Sequence, residues 1–159
     1  MIFVTVGTDQ PFDRMMKIID QWAFENHRND VYAQIGKGGW QPSHMKFSEF
    51  LEPPRFKEYF AKAGVVVAHA GMGTILSALH YGKPILVMPK RASLGEQRNE
   101  HQLATARRMM ELGNVEVAFN EQELWEKLDK LGQLVPKDAI GSFAEDKLIA
   151  GLKEFISGN

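Results

Sequence analysis

The sequence contains no cysteine, which excludes disulfide pairing and thiolate metal sites and fits a reducing, cytosolic setting. An excess of either charge is missing too: 19 Lys and Arg against 20 Asp and Glu leave a net charge of −1. Nucleic-acid binding draws on a basic surface field, so the balance argues against it as the main task. No apolar run approaches the ~20 residues of a membrane-spanning helix. No charged-then-apolar leader precedes the first apolar run. The chain is therefore expected to be soluble and cytoplasmic, tied to any membrane only through a partner. His27, His44 and His80 show no ligand spacing, which argues against a zinc site. Repeats and low-complexity stretches are absent. What is present is 159 residues, 44% of them hydrophobic, enough for one domain expected over 1–159.

The most informative stretch runs from Val65 to Ala106. Val65-Val66-Val67-Ala68 is a β-branched run too short for a helix and reads as a buried strand. His69 to Thr74 follows as a glycine-bearing turn. A helix pattern then opens at Ile75-Leu76 and closes at Gly82, and Ile85 to Met88 forms a second buried strand stopped by Pro89. This is one βαβ unit. A strand that ends in glycines and enters a helix aims free backbone N–H groups and the helix dipole at the crevice beyond the strand ends, where an anion is favoured. Gly71 and Gly73 would let a phosphate approach the backbone. Thr74 can donate a hydroxyl or cap the helix, and His69 can add a donor. The plainer reading is a tight turn with a capping threonine and a structural histidine. The glycine spacing is not G-x-G-x-x-G, and Pro89-Lys90-Arg91 stands where a dinucleotide fold places an acidic residue, which disfavours that fold.

The second strand feeds a polar loop, Lys90 to Asn99, before a helix that begins around Glu100-His101-Gln102. Compact α/β domains rarely give a βα loop that length unless it binds something. Ser93, Glu96, Gln97, Asn99, His101 and Gln102 suit hydrogen bonding to hydroxyls; a solvated surface loop is the alternative.

H-A-G-M-G-T at 69–74, G-K-P at 82–84 with its strand, and N-E-H-Q-L-A-T-A at 99–106 together resemble the donor-binding half of GT-B glycosyltransferases. The pattern is most similar to the MurG-like C-terminal domain of family 28. Within it, the chain resembles short free-standing subunits of the dolichol-linked GlcNAc transferase and PssE exopolysaccharide types. The opening Ile2 to Met16 is similar to the start of those subunits, so the likeness covers roughly residues 1–130. The resemblance implies a UDP-sugar diphosphate site at His69, Gly71, Met72, Gly73 and Thr74, with Gly7 and Thr8 facing the same cleft. It implies donor-sugar and ribose contacts from Ser77, Glu96, Asn99, His101 and Gln102. Ser77 stands where many relatives carry an acidic, ribose-binding residue.

Elsewhere, Ile2 to Val6 reads as a strand entering Gly7-Thr8, followed by a helix from Pro11 with an apolar stripe in which Met15 and Met16 are core filler. Val31 to Ile35 is the next strand, and Gly36 to Trp40 reads as a mobile loop, the alternative being a loop that borders the same cleft or contacts an acceptor. Phe47 to Leu51 is a strand ended by Pro53-Pro54, and Phe56 to Ala63 a short helix. After a helix stopped by Gly113 come a strand at Val115 to Ala118 and a helix capped by Asn120. Pro136 begins a linker to an amphipathic helix from Phe143 to Ile156. This order fits an α/β, Rossmann-like fold: an open, mostly parallel sheet with helices on both faces.

The resemblance implies the donor-binding, catalytic subunit of a two-subunit inverting glycosyltransferase using a UDP-sugar, in capsule, exopolysaccharide or lipid-linked saccharide synthesis. A membrane-associated subunit would supply the acceptor site, the lipid-linked acceptor and the general base. No cofactor and no protein metal site are expected, the leaving-group charge being met by backbone amides, His69 and Lys90 or Arg91. A homo-oligomer is left open. The alternative is a non-catalytic nucleotide-sugar-binding module that assembles with a partner transferase.

Overall fold

The computed structural model describes residues 1–113 and 115–134. The first strand, β1 (Ile2–Thr5), lies inside a sheet whose six strands are all parallel. It pairs on one side with β2 (Val31–Gln34), beyond which lies β3 (Lys46–Ser48), and on the other with β4 (Val65–His69). Then come β5 (Ile85–Met88) and β6 (Glu116–Val117), for a strand order of β3-β2-β1-β4-β5-β6. The chain builds outward from β1 in one direction, returns to β4 on the other side, and builds outward again.

Period-two alternation divides the core into two layers. Ile2, Val4, Val67, Leu86 and Met88 pack against α1 (Asp13–Glu25) and α5 (Glu121–Asp129). Phe3, Val66, Ala68, Ile85 and Val87 point the other way, against α2 (Pro53–Lys62), α3 (Met72–His80) and α4 (His101–Leu112). Both faces are therefore covered, as expected for strands that read as continuous apolar runs. Met15 and Met16 are buried in the α1 layer. Asn120 Oδ1 accepts from Glu123 N (2.9 Å), capping α5 as the sequence indicates.

The structure differs from the sequence reading in several places, among them the third strand, which runs from Lys46 to Ser48 instead of Phe47 to Leu51. The Pro53-Pro54 pair opens α2 instead of only ending a strand, because proline is tolerated in a first helical turn whose N–H groups have no intrahelical partner. Helix α3 begins at Met72 with Gly71 at its N-cap, so Gly73 and Thr74 lie inside its first turn, and no side chain caps it. The Gly36–Trp40 loop is pinned: Gly38 N donates to Glu49 Oε2 (2.7 Å) and Trp40 N to Asp13 Oδ1 (2.9 Å). The helix expected at 143–156 and the linker at Pro136 lie outside the described residues.

Candidate functional site

In an open α/β sheet, the loops leaving two neighbouring strands part where the strand order reverses, and a crevice opens beyond their carboxyl ends. Here that point falls between β1 and β4. A cavity of about 490 Å³ lies there. Gly7 and Thr8 line it from the β1 side, and His69, Gly71, Met72, Gly73, Thr74 and Ser77 from the β4–α3 side; Gln102 comes from α4. Nine of the sequence-predicted site residues are thus brought together around one space.

At the α3 end of the cavity, the first-turn amides of Met72, Gly73 and Thr74 have no side-chain cap and no acidic neighbour in that turn. They form an N–H cluster at the positive end of a helix. The imidazole of His69 sits beside them, 9% exposed. Its Nδ1 is 3.1 Å from Gln102 Nε2 and its Nε2 3.5 Å from Thr74 Oγ1. Burial, together with the nearby charge of Lys90, pushes its pKa down to about 3, so the ring is neutral at ordinary pH.

The glycines have different roles. A Cβ on Gly71 would lie 2.1 Å from His69 Cε1, and one on Gly7 would lie 2.6 Å from His69 Nε2. Gly7 also holds φ +82, a conformation open mainly to glycine. These two positions make room for the ring. A Cβ on Gly73 would meet nothing within 4 Å, so of the three only Gly73 leaves backbone bare toward open space.

Glu96, Asn99 and His101 do not line the cavity. Glu96 accepts two hydrogen bonds from Arg14 of α1 (2.9 Å each) and another from Arg91 N (2.9 Å), tying the 90–99 loop to α1. Asn99 Oδ1 accepts from His101 N (3.0 Å) at the start of α4, and the His101 side chain is exposed. The cations expected to meet leaving-group charge are engaged elsewhere as well. Lys90 is buried with its Nζ donating to the Gln10 carbonyl, and Arg91 Nε donates to Glu100 Oε2 (3.0 Å). Burial pushes Lys90 down to about 8, against the pull of Asp9 and Glu96.

Gln97, one of the loop residues suited to hydroxyls, also lines the cavity, and two lining residues lie outside the sequence-predicted set: Gln34 and Phe56. Gln34, 1% exposed, ends β2 in register with Thr5. Its Nε2 donates to Thr5 Oγ1 (3.1 Å) and to the Gly7 carbonyl (3.3 Å), and its Oε1 accepts from Leu51 N (3.0 Å). It thereby holds the Gly7 turn in place. A polar residue closing an otherwise apolar strand is the signal that could have found it.

A six-stranded parallel sheet with helices on both faces and a crevice at its reversal point defines a Rossmann-like α/β domain of the GT-B C-terminal type. The model of the glycosyltransferase family 28 C-terminal domain matches residues 1–139, and the chain belongs to that family. It is 32% identical over 124 residues to the human UDP-N-acetylglucosamine transferase subunit ALG13, and 28% identical over 127 residues to the mouse protein. These matches cover 72% and 71% of this chain but 10% of either relative, so the chain spans about a tenth of their length. Among solved structures, the solution structure of ALG13 superposes with a TM-score of 0.63 at 19% identity, covering 92% of this chain and 93% of that one. MurG from Acinetobacter baumannii superposes with a TM-score of 0.61 at 14% identity, covering 85% of this chain and 42% of that one. Among the described residues, no helix is long and apolar enough to cross a membrane.

Proposed function

We propose that the chain is the donor-binding, catalytic subunit of a two-subunit inverting glycosyltransferase that uses a UDP-sugar. The observation that carries this reading is the cavity at the β1–β4 reversal point, where the uncapped α3 N-terminus, bare backbone at Gly73 and His69 converge. These groups suit a diphosphate: amides at a helix N-terminus bind anions, and fixed donors stabilise charge that grows on the leaving group. Membership of family 28 and likeness to a UDP-N-acetylglucosamine transferase subunit favour uridine and an N-acetylhexosamine.

In this reading an acceptor hydroxyl, deprotonated by a base on the partner subunit, attacks the anomeric carbon from the face opposite the diphosphate. The bond to the UDP oxygen breaks and configuration inverts. The α3 amides and His69 take up the charge left on UDP, so no protein-held metal is called for. Acceptor and membrane attachment come with the partner, placing this subunit on the cytoplasmic face in lipid-linked or exopolysaccharide synthesis. Transfer of labelled sugar from UDP-GlcNAc to lipid by membranes holding both subunits tests this. Donor binding with no turnover in any pairing would leave a binding module instead. His69→Ala is expected to weaken UDP-GlcNAc binding about tenfold or more with the fold intact, since one donor to a charged group is lost. An unchanged dissociation constant would remove His69 from the site.

A further inference from the structure

The chain of hydrogen bonds behind His69 determines where its proton lies. A main-chain N–H can only donate, and that of Lys90 lies 3.0 Å from Gln102 Oε1. The oxygen end of the Gln102 amide therefore faces Lys90, and its NH₂ end faces His69 Nδ1 at 3.1 Å. An amide NH₂ has no acceptor capacity, so Nδ1 must be the acceptor. A neutral imidazole with a bare Nδ1 carries its one proton on Nε2. Nε2 is the edge beside Thr74 Oγ1, on the wall of the cavity.

We propose that Gln102 is a positioning residue: relayed from the Lys90 amide, its carboxamide fixes His69 as the Nε2–H tautomer, so that a neutral ring donates a hydrogen bond into the crevice. Its ligand there, the diphosphate of a nucleotide sugar, rests on the reading of function above; the tautomer itself does not. The sequence reading places Gln102 on the donor sugar, whereas the geometry makes it act through His69. A neutral donor also has a consequence for pH. The charged group bearing on His69 is Lys90, at the end of β5, whose Nζ is turned onto the Gln10 carbonyl. Asp9 and Glu96 bear in turn on Lys90. With burial and a positive neighbour both opposing a second proton, the ring stays neutral as pH falls through the ordinary histidine range.

Long-range proton–nitrogen NMR of the imidazoles in the free, full chain reads the tautomer directly. The expected spectrum has His69 Nδ1 bare and Nε2 protonated from about pH 8 to about pH 5, with no titration between. Protonation on Nδ1, or titration near the ordinary histidine pKa, would overturn the proposal. Gln102→Glu keeps size and the acceptor for Lys90 N–H but presents a carboxylate oxygen to Nδ1. The proton is then expected to move to Nδ1, leaving a lone pair toward the phosphate. Binding of UDP-GlcNAc, whose diphosphate does not titrate in this range, should weaken about ten- to a hundredfold near pH 8. Affinity should recover as pH falls, because the carboxylate favours the imidazolium and restores the Nε2 proton, while the wild type stays flat. A Gln102→Glu chain that binds like wild type at every pH would contradict the relay. If the wild type binds no uridine ligand, the functional reading fails, and the imidazole spectrum still decides the tautomer. If the variant does not fold, the wild-type spectrum alone decides.

Discussion

Gly71→Ala is expected to remove UDP-sugar binding almost entirely and to cost the fold about 1–3 kcal/mol, the usual range for forcing a methyl into packed space. The added Cβ would sit 2.1 Å from His69 Cε1 and 2.8 Å from Nδ1. The ring has nowhere to retreat. Its other edge already faces Gly7, and Gln102 holds Nδ1. It must swing away from Gln102, abandoning the donor position and intruding on the cavity. Gly73→Ala provides the contrast. Gly73 sits in the first turn of α3, outside the left-handed region, with nothing within 4 Å of an added Cβ. Alanine there should leave stability unchanged or raise it by about 0.5–1 kcal/mol, because glycine is the poorer helix residue. The same methyl would stand between phosphate and backbone, so affinity should still fall. Thermal melts and calorimetric titrations of the two variants separate these effects. A Gly73→Ala chain that binds like wild type would show that no phosphate approaches there.

Arg14→Ala, away from the cavity walls, should cost about 2–3 kcal/mol. Arg14 Nε and Nη2 each donate to Glu96 at 2.9 Å, and Nη1 donates to Glu121 at 2.7 Å. Side-chain exposures of 18% for Arg14 and 11% for Glu96 place this bridge between exposed pairs, worth at most about 1 kcal/mol, and buried ones, whose breaking costs about 3–5 kcal/mol. Burial works against the guanidinium's charge, and the carboxylates of Glu96 and Glu121 outweigh it, raising its pKa. Without Arg14, a nearly buried Glu96 keeps, among the described residues, the Arg91 amide as its hydrogen-bond donor. The 90–99 loop should loosen, and with it the Lys90 end that anchors Gln102. Urea denaturation reads the stability, and amide exchange at Arg91 reads the loop. An Arg14→Met, Glu96→Met pair should recover much of the loss, since neither charge is left unpaired. Equal damage in the single and double variants would assign the effect to packing instead.

Much of the sheet is legible in the sequence because its strands are buried on both faces. Val65 to His69 and Ile85 to Met88 are apolar runs too short for helices, and Gly82 and Gly113 mark helix ends. The start of α3 is not legible: a glycine N-cap and a glycine in the first turn look like loop, and only tertiary packing makes them helical. The core of the site is legible because its parts lie next to two strand ends that the topology brings side by side, Gly7-Thr8 after β1 and His69 to Thr74 after β4. Gln34 joins them through strand register with Thr5, and Glu96 departs from them because its partner Arg14 is 82 residues away. No local pattern carries pairings of that kind. The purpose of Gly71 is likewise hidden, since the group it makes room for is a side chain of the protein.

Calorimetric titration of the full chain with UDP, UDP-GlcNAc, GDP and NAD tests most directly whether the β1–β4 crevice is a uridine nucleotide-sugar site. Binding of the two uridine ligands, weakened by Gly73→Ala and absent in Gly71→Ala, with GDP and NAD silent, is the expected result. Tighter binding of GDP or NAD, or uridine binding indifferent to both glycine substitutions, would contradict it.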